Sequence, residues 1–462
     1  MRIARFEEAD GLLRKDLIYW TTGMGLPTSQ KSPKGTAVER STLLNTIAFR
    51  FAFAIAVLSL PRLAIFIPPH LWFDSLRRPV ASALGWCDIF ERQTTNVIGV
   101  YLVRIVTGSK ESVREMTARL KTDWFASAIP DLVGLLTLAV VIAAVWTALD
   151  RRRANYPLLN RCMRVYLRYG VATAMLSYAF VKVIPTQFGY ITPGDLLRPL
   201  GQLSHFRLLW DFMAVSPGYT VFTGLVELLG AVLLFFRRTT LVGAMVLAGA
   251  LTNVVVMDFA YGVGALTYAL ALLLLDILIL TPYVRPLFEI LLVRGSGELP
   301  SEPSGPQQHW WHSRLAKAAL ICVLVLPLIA INIQRRRSFF RSDHLVYGVF
   351  DISTFIRNGQ AITPLASDSM IWKRMASDPR DGTDAILVEF ANGDQRRFGL
   401  NDDSAHHVWT IRDKDPRHAG NLSYDTRPDG IVSLNGHIGG DSVKMLLRPI
   451  DVDKVFPLLG PE

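Results

Sequence analysis

Residues 218–236 read GYTVFTGLVELLGAVLLFF, an unbroken apolar run with one carboxylate, Glu227, and no basic group. About 20 apolar residues at ~1.5 Å rise cross a hydrocarbon core. The stretch therefore predicts a membrane-spanning helix, and it decides the class of fold. Two more spans follow closely, at 241–259 and 263–280. Working outward adds 130–149, 163–184, 315–333 and 47–67, which makes seven. Arg50, Pro61 and Arg62 interrupt the span at 47–67, with both arginines near an end from which long stems reach the headgroups.

The bulk numbers agree. The 462 residues are 50% hydrophobic and only 19% charged, and the mean hydropathy is +0.29. A soluble chain is about 25% charged. The deficit lies almost wholly before Arg335, and the stretch beyond it is densely charged. The expected architecture is an α-helical polytopic membrane protein with a small antiparallel β-rich C-terminal domain. In order, it has a basic cytoplasmic segment (1–46), a first span (47–67), an extracytoplasmic cap loop (68–129) and a helical core (130–293). A linker (294–314) containing RGSGELPSEPSGPQQ, a last span (315–333) and a soluble domain (338–462) follow.

Basic residues in short loops set the orientation. Arg14, Lys15, Lys31, Lys34 and Arg40 precede the first span, Arg151, Arg152, Arg153, Arg161 and Arg164 follow the second, and Arg237–Arg238 follow the fourth. With seven spans all three groups share one side, the cytoplasmic one, and the C-terminal domain lies outside. Arg335, Arg336 and Arg337, at the outer end of the last span, run against that pattern. Residues 1–40 hold no apolar core with a small-residue cleavage site, so the first span is expected to serve as the insertion signal. The formal charge of +10 and pI of 9.6 suit membrane lipids with anionic headgroups. Nucleic acid is not an expected partner, because the basic residues are spread through loops and form no stripe.

The three cysteines, Cys87, Cys162 and Cys322, fall in separate compartments and offer neither a disulfide nor a redox pair. No histidine falls inside an expected span, as axial ligation of a membrane haem would require. In the tail His344, His406, His407, His418 and His437 lack metal-ligand spacing, so they read as solvated and no metal is expected. Leu203, Phe206, Trp210 and Met213 recur at helical spacing in the loop 185–217, which predicts a short interfacial or re-entrant helix with Trp210 at headgroup depth. Turn signals at Asn392–Gly393, Pro428-Asp429-Gly430 and Asn435–Gly436 punctuate β-prone runs in the tail.

Ionisable groups inside spans cost several kcal/mol unless paired or hydrated, which makes them candidate sites. Glu227 shares its helix face with Thr220, Thr223, Gly224, Gly230 and Ala231, so it points into the bundle, where small residues permit close packing. Lys182 lies at the outer end of the third span, with Tyr178 one turn earlier and Gln187 just beyond. Its stem either snorkels outward or bends toward Glu227. Lys182, Glu227, Tyr178 and Gln187 form the candidate ligand-binding group, with plain interhelical pairing as the alternative. Asn253, Asp258 and Asp276 are the other polar groups of the spans.

The block from Tyr169 to Arg285 contains KVIPTQF at 182–188, GLVELLGAVLL around Glu227 and RRTTLVGA at 237–244. It resembles the DoxX-like family of four-helix integral membrane proteins, in the long form with extra spans and a soluble C-terminal domain. Glu227 matches the acidic residue of that family's second core helix, and Lys182 and Gln187 match the end of its first. The resemblance implies a multi-pass protein of the bacterial cytoplasmic membrane. It also implies an accessory role in a quinone-linked or other redox process of the cell envelope, with a quinone as cofactor and a redox subunit as partner. The alternative is a non-enzymatic envelope protein that anchors the β domain for a partner or a lipid. No haem, cluster, nucleotide loop or hydrolase motif is evident, which favours the anchoring reading or an accessory version of the redox one. A transporter would show inverted repeats and broken helices, and an odd number of intact spans argues against it.

Overall fold

The computed structural model describes residues 35–59, 93–109, 111, 115–116, 128–151, 153, 155–292, 314–340, 346–363, 365, 367–377 and 385–456. The helices are α1 (Gly35–Leu58), α2 (Ala128–Leu149), α3 (Pro157–Val183), α4 (Pro193–Leu197), α5 (His205–Val215), α6 (Pro217–Leu234), α7 (Thr240–Ala260), α8 (Leu266–Leu280), α9 (Val284–Leu291) and α10 (Arg314–Phe340). The strands are β1 (Gly348–Arg357), β2 (Gln360–Ala361), β3 (Trp372–Ser377), β4 (Ala385–Phe390), β5 (Gln395–Asp403), β6 (Val408–Arg412), β7 (Gly420–Thr426), β8 (Val432–Ile438) and β9 (Asp441–Pro449), before a last turn of helix, α11 (Val452–Val455). Two units divide the chain: residues 1–183 with 222–330, and residues 184–221 with 331–462.

In the first unit four stretches among the described residues are long and apolar enough to cross a membrane: Ala128–Leu149, Pro217–Leu234, Arg237–Ala260 and Leu266–Leu291. The third expected span is helical as α3, but Arg161, Arg164, Arg168 and Lys182 dilute its apolar character. Arg168 and Lys182 are both buried in the protein. The last expected span runs unbroken through Pro327 as α10. Of the first, residues 47–58 are helical within α1, which starts at Gly35. Residues 60–67, with Pro61 and Arg62, lie outside the described residues. So do Cys87, the linker from 294 to 313 and most of the charged stretch from Lys110 to Lys121.

Arg50 does not reach for headgroups. It is 1% exposed and donates to the carbonyl oxygen of Asp150 at 2.6 Å and the hydroxyl of Tyr156 at 2.7 Å. Tyr156 in turn donates to Asp150 Oδ2 at 2.8 Å. The guanidinium therefore closes the C-terminal end of α2, where unpaired carbonyls carry partial negative charge. Part of the expected cap loop is helical, at 93–107, and it crosses α2 backbone to backbone. A Cβ on Gly99 would sit 1.6 Å from the Pro130 carbonyl oxygen, and one on Gly134 would sit 1.7 Å from that of Thr95. Beside this crossing the Thr95 hydroxyl donates to Asp131 at 2.6 Å.

Helix α8 packs against α7, α3, α2 and α1, which explains its wholly buried Leu275 and Asp276. Helix α6 approaches α3 at Gly224, where a Cβ would lie 2.8 Å from Lys182 Cβ, and α7 at Gly230, where it would lie 2.6 Å from Leu247 Cγ. Small residues let these backbones meet, and in lipid such van der Waals packing drives helix association.

In the second unit, β1 and β3 to β9 form an antiparallel meander in which β1 also pairs with β9, closing an eight-stranded barrel. Strand β2 is a two-residue flap on the end of β1. Alternate residues point inward: Ile386, Val388 and Phe390 on β4, Trp409 and Ile411 on β6, and Val443, Met445 and Leu447 on β9. A barrel of eight strands has an interior that side chains just fill. The Asn392–Gly393 turn joins β4 to β5 with Gly393 at φ +86°, and Gly430 at φ +79° turns β7 into β8.

Asn435–Gly436 is not a turn. Both residues lie inside β8, and the turn follows at Gly439–Gly440. Gly436 is needed for close approach, since a Cβ there would lie 2.1 Å from the Asn421 carbonyl oxygen of β7. His418 is not solvated. It is buried inside the barrel end with ring centroids 5.7 Å from Phe390 and 5.8 Å from Phe398. Burial, reinforced by the Arg396 charge, lowers its pKa below the usual histidine value.

The same unit takes in the loop between α3 and α6. The predicted short helix is present as α5, with Ser204 as N-cap and Trp210 stacked on Phe206 at 4.0 Å. It follows α4, which opens with a Thr192–Asp195 capping box. Leu196 and Leu197 of α4 pack on Val349, Ala376 and Leu387, residues on the outside of the barrel wall, and Gln395 donates to the Leu197 carbonyl oxygen. Thr186 donates to Asn332 Oδ1 at 2.7 Å, and Arg336 donates to the Pro185 carbonyl oxygen at 3.1 Å. The basic cluster 335–337 thus has a local use, because Arg336 serves the chain just past the C-terminal end of α3.

Candidate functional site

The close approach at Gly224 lays the stem of Lys182 along α6, and its ammonium meets Glu227 Oε1 less than one turn further along that helix. The two side chains are 8% and 3% exposed. Of the two fates open to the lysine stem, bending toward the carboxylate is the one adopted. Burying either charge alone is costly, and the contact lets each offset the other.

Glu227 uses only one oxygen in this pair. Its Oε2 is buried with no hydrogen-bond partner among the described residues. A second buried carboxyl, Asp258, stands two residues from the C-terminal end of α7. Asp258 is 7% exposed, and its Oδ2 also lacks a hydrogen-bond partner among the described residues. Each of these two carboxyl groups thus has a buried oxygen without a hydrogen-bond partner among the described residues.

Tyr178 sits one turn before Lys182 on α3 and is half-buried. Gln187 belongs to the second unit. The structure brings Lys182 and Glu227 into contact and keeps Tyr178 on the same helix as Lys182.

Asp276 is a separate case. It is wholly buried on α8, and neither oxygen has a hydrogen-bond partner among the described residues.

Comparison with known proteins adds lineage. The uncharacterized protein YwoB of Bacillus subtilis (strain 168) is 30% identical over 129 residues, 28% of this chain and 79% of that protein. The chain belongs to the same family as YwoB. YwoB is described as uncharacterized, so this kinship brings no activity with it, and nearly three quarters of the chain lies beyond the shared region. No family model matches the chain. No solved structure matches it either.

Proposed function

We propose that this chain is a DoxX-like integral protein of the bacterial cytoplasmic membrane. In this reading its helical bundle binds a quinone or a similar lipophilic ligand beside Lys182 and Glu227, as an accessory part of a redox process in the cell envelope. The observation that carries the reading is the buried Lys182–Glu227 pair with its leftover oxygen. A buried polar group without a partner is a site waiting for one. When bound, a quinone would supply the electron-carrying ring, and the residues here fit its polar edge. Lys182 offers donors to a ring oxygen, and Glu227 Oε2 offers an acceptor to a ring hydroxyl.

The proposed topology puts the barrel outside the cytoplasm. The hydrogen bonds Thr186–Asn332 and Arg336–Pro185 hold the chain after α3 and the end of α10 on one side. In this reading α6, α7, α8 and α10 each cross the membrane between them, four crossings in all. Arg151, Arg153, Arg237 and Arg238 then fall on the opposite, cytoplasmic side. Alkaline phosphatase fused after Ser338 should be active, and an inactive fusion paired with a fluorescent cytoplasmic reporter would reject this topology.

Ligand binding is tested by adding a soluble quinone analogue to the detergent-solubilised protein. A ligand at ~100 times its dissociation constant stabilises the bound state by about 2.7 kcal/mol, a visible rise in thermal midpoint. If no lipophilic redox compound shifts the midpoint at saturation, the redox reading fails. The alternative, a non-enzymatic anchor for the barrel, is favoured by a different observation. The barrel is closed and has its own hydrophobic core.

A further inference from the structure

We infer that helix α5 lies in the membrane surface and binds lipid. Leu208, Phe212 and Val215, with Tyr219 at the start of α6, enter the acyl region of the outer leaflet and tie the barrel unit to the bilayer. This rests on the proposed reading of α6 as a membrane span, and it is independent of the Lys182 site.

Helix α5 has two apolar sides. Sequence spacing marks Phe206, Trp210 and Met213, and that side is largely spent inside the protein. Leu209 and Met213 are buried, and Trp210 packs between Phe206 and Phe188 at 4.0 and 5.2 Å. The second side runs Leu208, Phe212, Val215, a spacing of four and then three that makes one stripe on a helix. Leu208 is 40% and Phe212 58% exposed. Single exposed apolar side chains are ordinary, but a contiguous stripe marks an interaction surface.

What covers the stripe follows from its place in the chain. Only Ser216 separates α5 from α6, a stretch long and apolar enough to cross a membrane. The chain turns there. In a straight helix residues seven apart lie ~10 Å apart along the axis, yet the Thr220 hydroxyl donates to the Met213 carbonyl oxygen at 2.7 Å. Helix α5 therefore leaves the axis of α6 at the level where that span enters the hydrocarbon. The rings of Phe212 and Tyr219 meet across the turn, with centroids 5.8 Å apart, so the stripe carries on to α6. Beyond Tyr219 the same side of α6 stays apolar and exposed at Phe222, Leu225 and Leu229. One apolar surface thus runs from a span onto α5, and the lipid that covers the first covers the second.

The charges near the stripe select the kind of lipid contact. Arg198 and Arg207 both pair with Asp195, and Arg207 also reaches Asp211 at 2.8 Å. Two cations face two carboxylates, which leaves no spare charge for an anionic headgroup. Apolar insertion therefore carries the binding, with little help from electrostatic attraction.

The test uses the full-length wild-type protein in vesicles of phosphatidylcholine alone or with phosphatidylglycerol. Each holds a trace of phospholipid with a photoreactive diazirine in its acyl chain. After illumination and digestion, fragment masses locate the adducts. They should appear on 208–215 as well as on α6, in the same ratio in both lipid mixtures. Adducts on α6 and none on 208–215 would overturn the inference and leave the span in place. No adduct on α6 would mean that the span reading itself fails, and the inference with it. A ratio that rises with phosphatidylglycerol would overturn the apolar mode of binding. Spin labels at Leu208→Cys or Phe212→Cys, each with Cys87→Ser, Cys162→Ser and Cys322→Ser, give a second readout. They should lose collisions with a water-soluble nickel chelate and keep those with oxygen. Loss of both would put a second copy of the chain on the stripe and overturn the inference. Should these variants not fold, the wild-type adducts decide.

Discussion

Lys182→Met tests whether the buried pair is an energetic unit. Methionine keeps the unbranched stem that lies against Gly224 and removes only the charge. Glu227 would then sit 3% exposed without its counter-ion. Removing one partner of a buried ion pair costs about 3–5 kcal/mol, because the other charge is left uncompensated. At roughly 2–4 °C per kcal/mol for a body of this size, the midpoint should fall by some 6–20 °C. Glu227→Leu alone should cost a comparable amount by stranding the lysine. The double variant Lys182→Met, Glu227→Leu buries neither charge of the pair, and its stability should return to within about 1 kcal/mol of wild type. The assay is thermal unfolding in one detergent, followed by tryptophan fluorescence for all four proteins, and the double-mutant cycle gives the coupling. Single effects that add up in the double variant would mean that the pair is not coupled, and the reasoning about the site would fall with it.

Gly436→Ala should destabilise the barrel by about 1–3 kcal/mol through overpacking against the Asn421 carbonyl, while Gly201→Ala, with open space around it, should change little; denaturant midpoints compare them, and equal effects would contradict the packing. His418 has its folded pKa lowered by burial, so the unfolded chain takes up the proton first as pH drops through ~6.5. Barrel stability should therefore fall as pH falls through that value, and His418→Phe should flatten the dependence; hydrogen exchange of the β4 and β5 amides reads this, and an unchanged slope would be contrary. Asp276→Leu should leave the bundle as stable or raise its midpoint by removing a buried carboxyl that has no hydrogen-bond partner among the described residues, an effect of ~1–3 kcal/mol; a clear drop would reveal a partner for that carboxyl.

What the sequence discloses and what it hides differ by the range of the interaction. Glu227 is legible because its own helix places Gly224, Gly230 and Ala231 on one face, a purely local pattern. Asn392–Gly393 and Pro428-Asp429-Gly430 are legible for the same reason. Asn435–Gly436 has the same local signature and a different use, because the carbonyl that requires Gly436 belongs to β7. His418 looks like a polar loop residue until β4 and β5 bring Phe390 and Phe398 to it. Closure of the barrel depends on β1 meeting β9, about ninety residues later, a pairing that no periodicity encodes. Arg50 reads as a snorkelling residue because its true partners, Asp150 and Tyr156, lie about a hundred positions away.

The loop 184–221 packs with the barrel although the rest of the barrel unit begins only at residue 331. This discontinuity imposes an order of events during synthesis. Leu196 and Leu197 emerge roughly 150 residues before Val349, which at ~5–20 residues per second is a wait on the order of ten to thirty seconds. Through that interval the loop has an apolar surface and no partner, while α6, α7, α8 and α10 are being made. The barrel, arriving last, finds part of its own outer wall already in place, and a chain cut short before β1 would leave that fragment permanently uncovered.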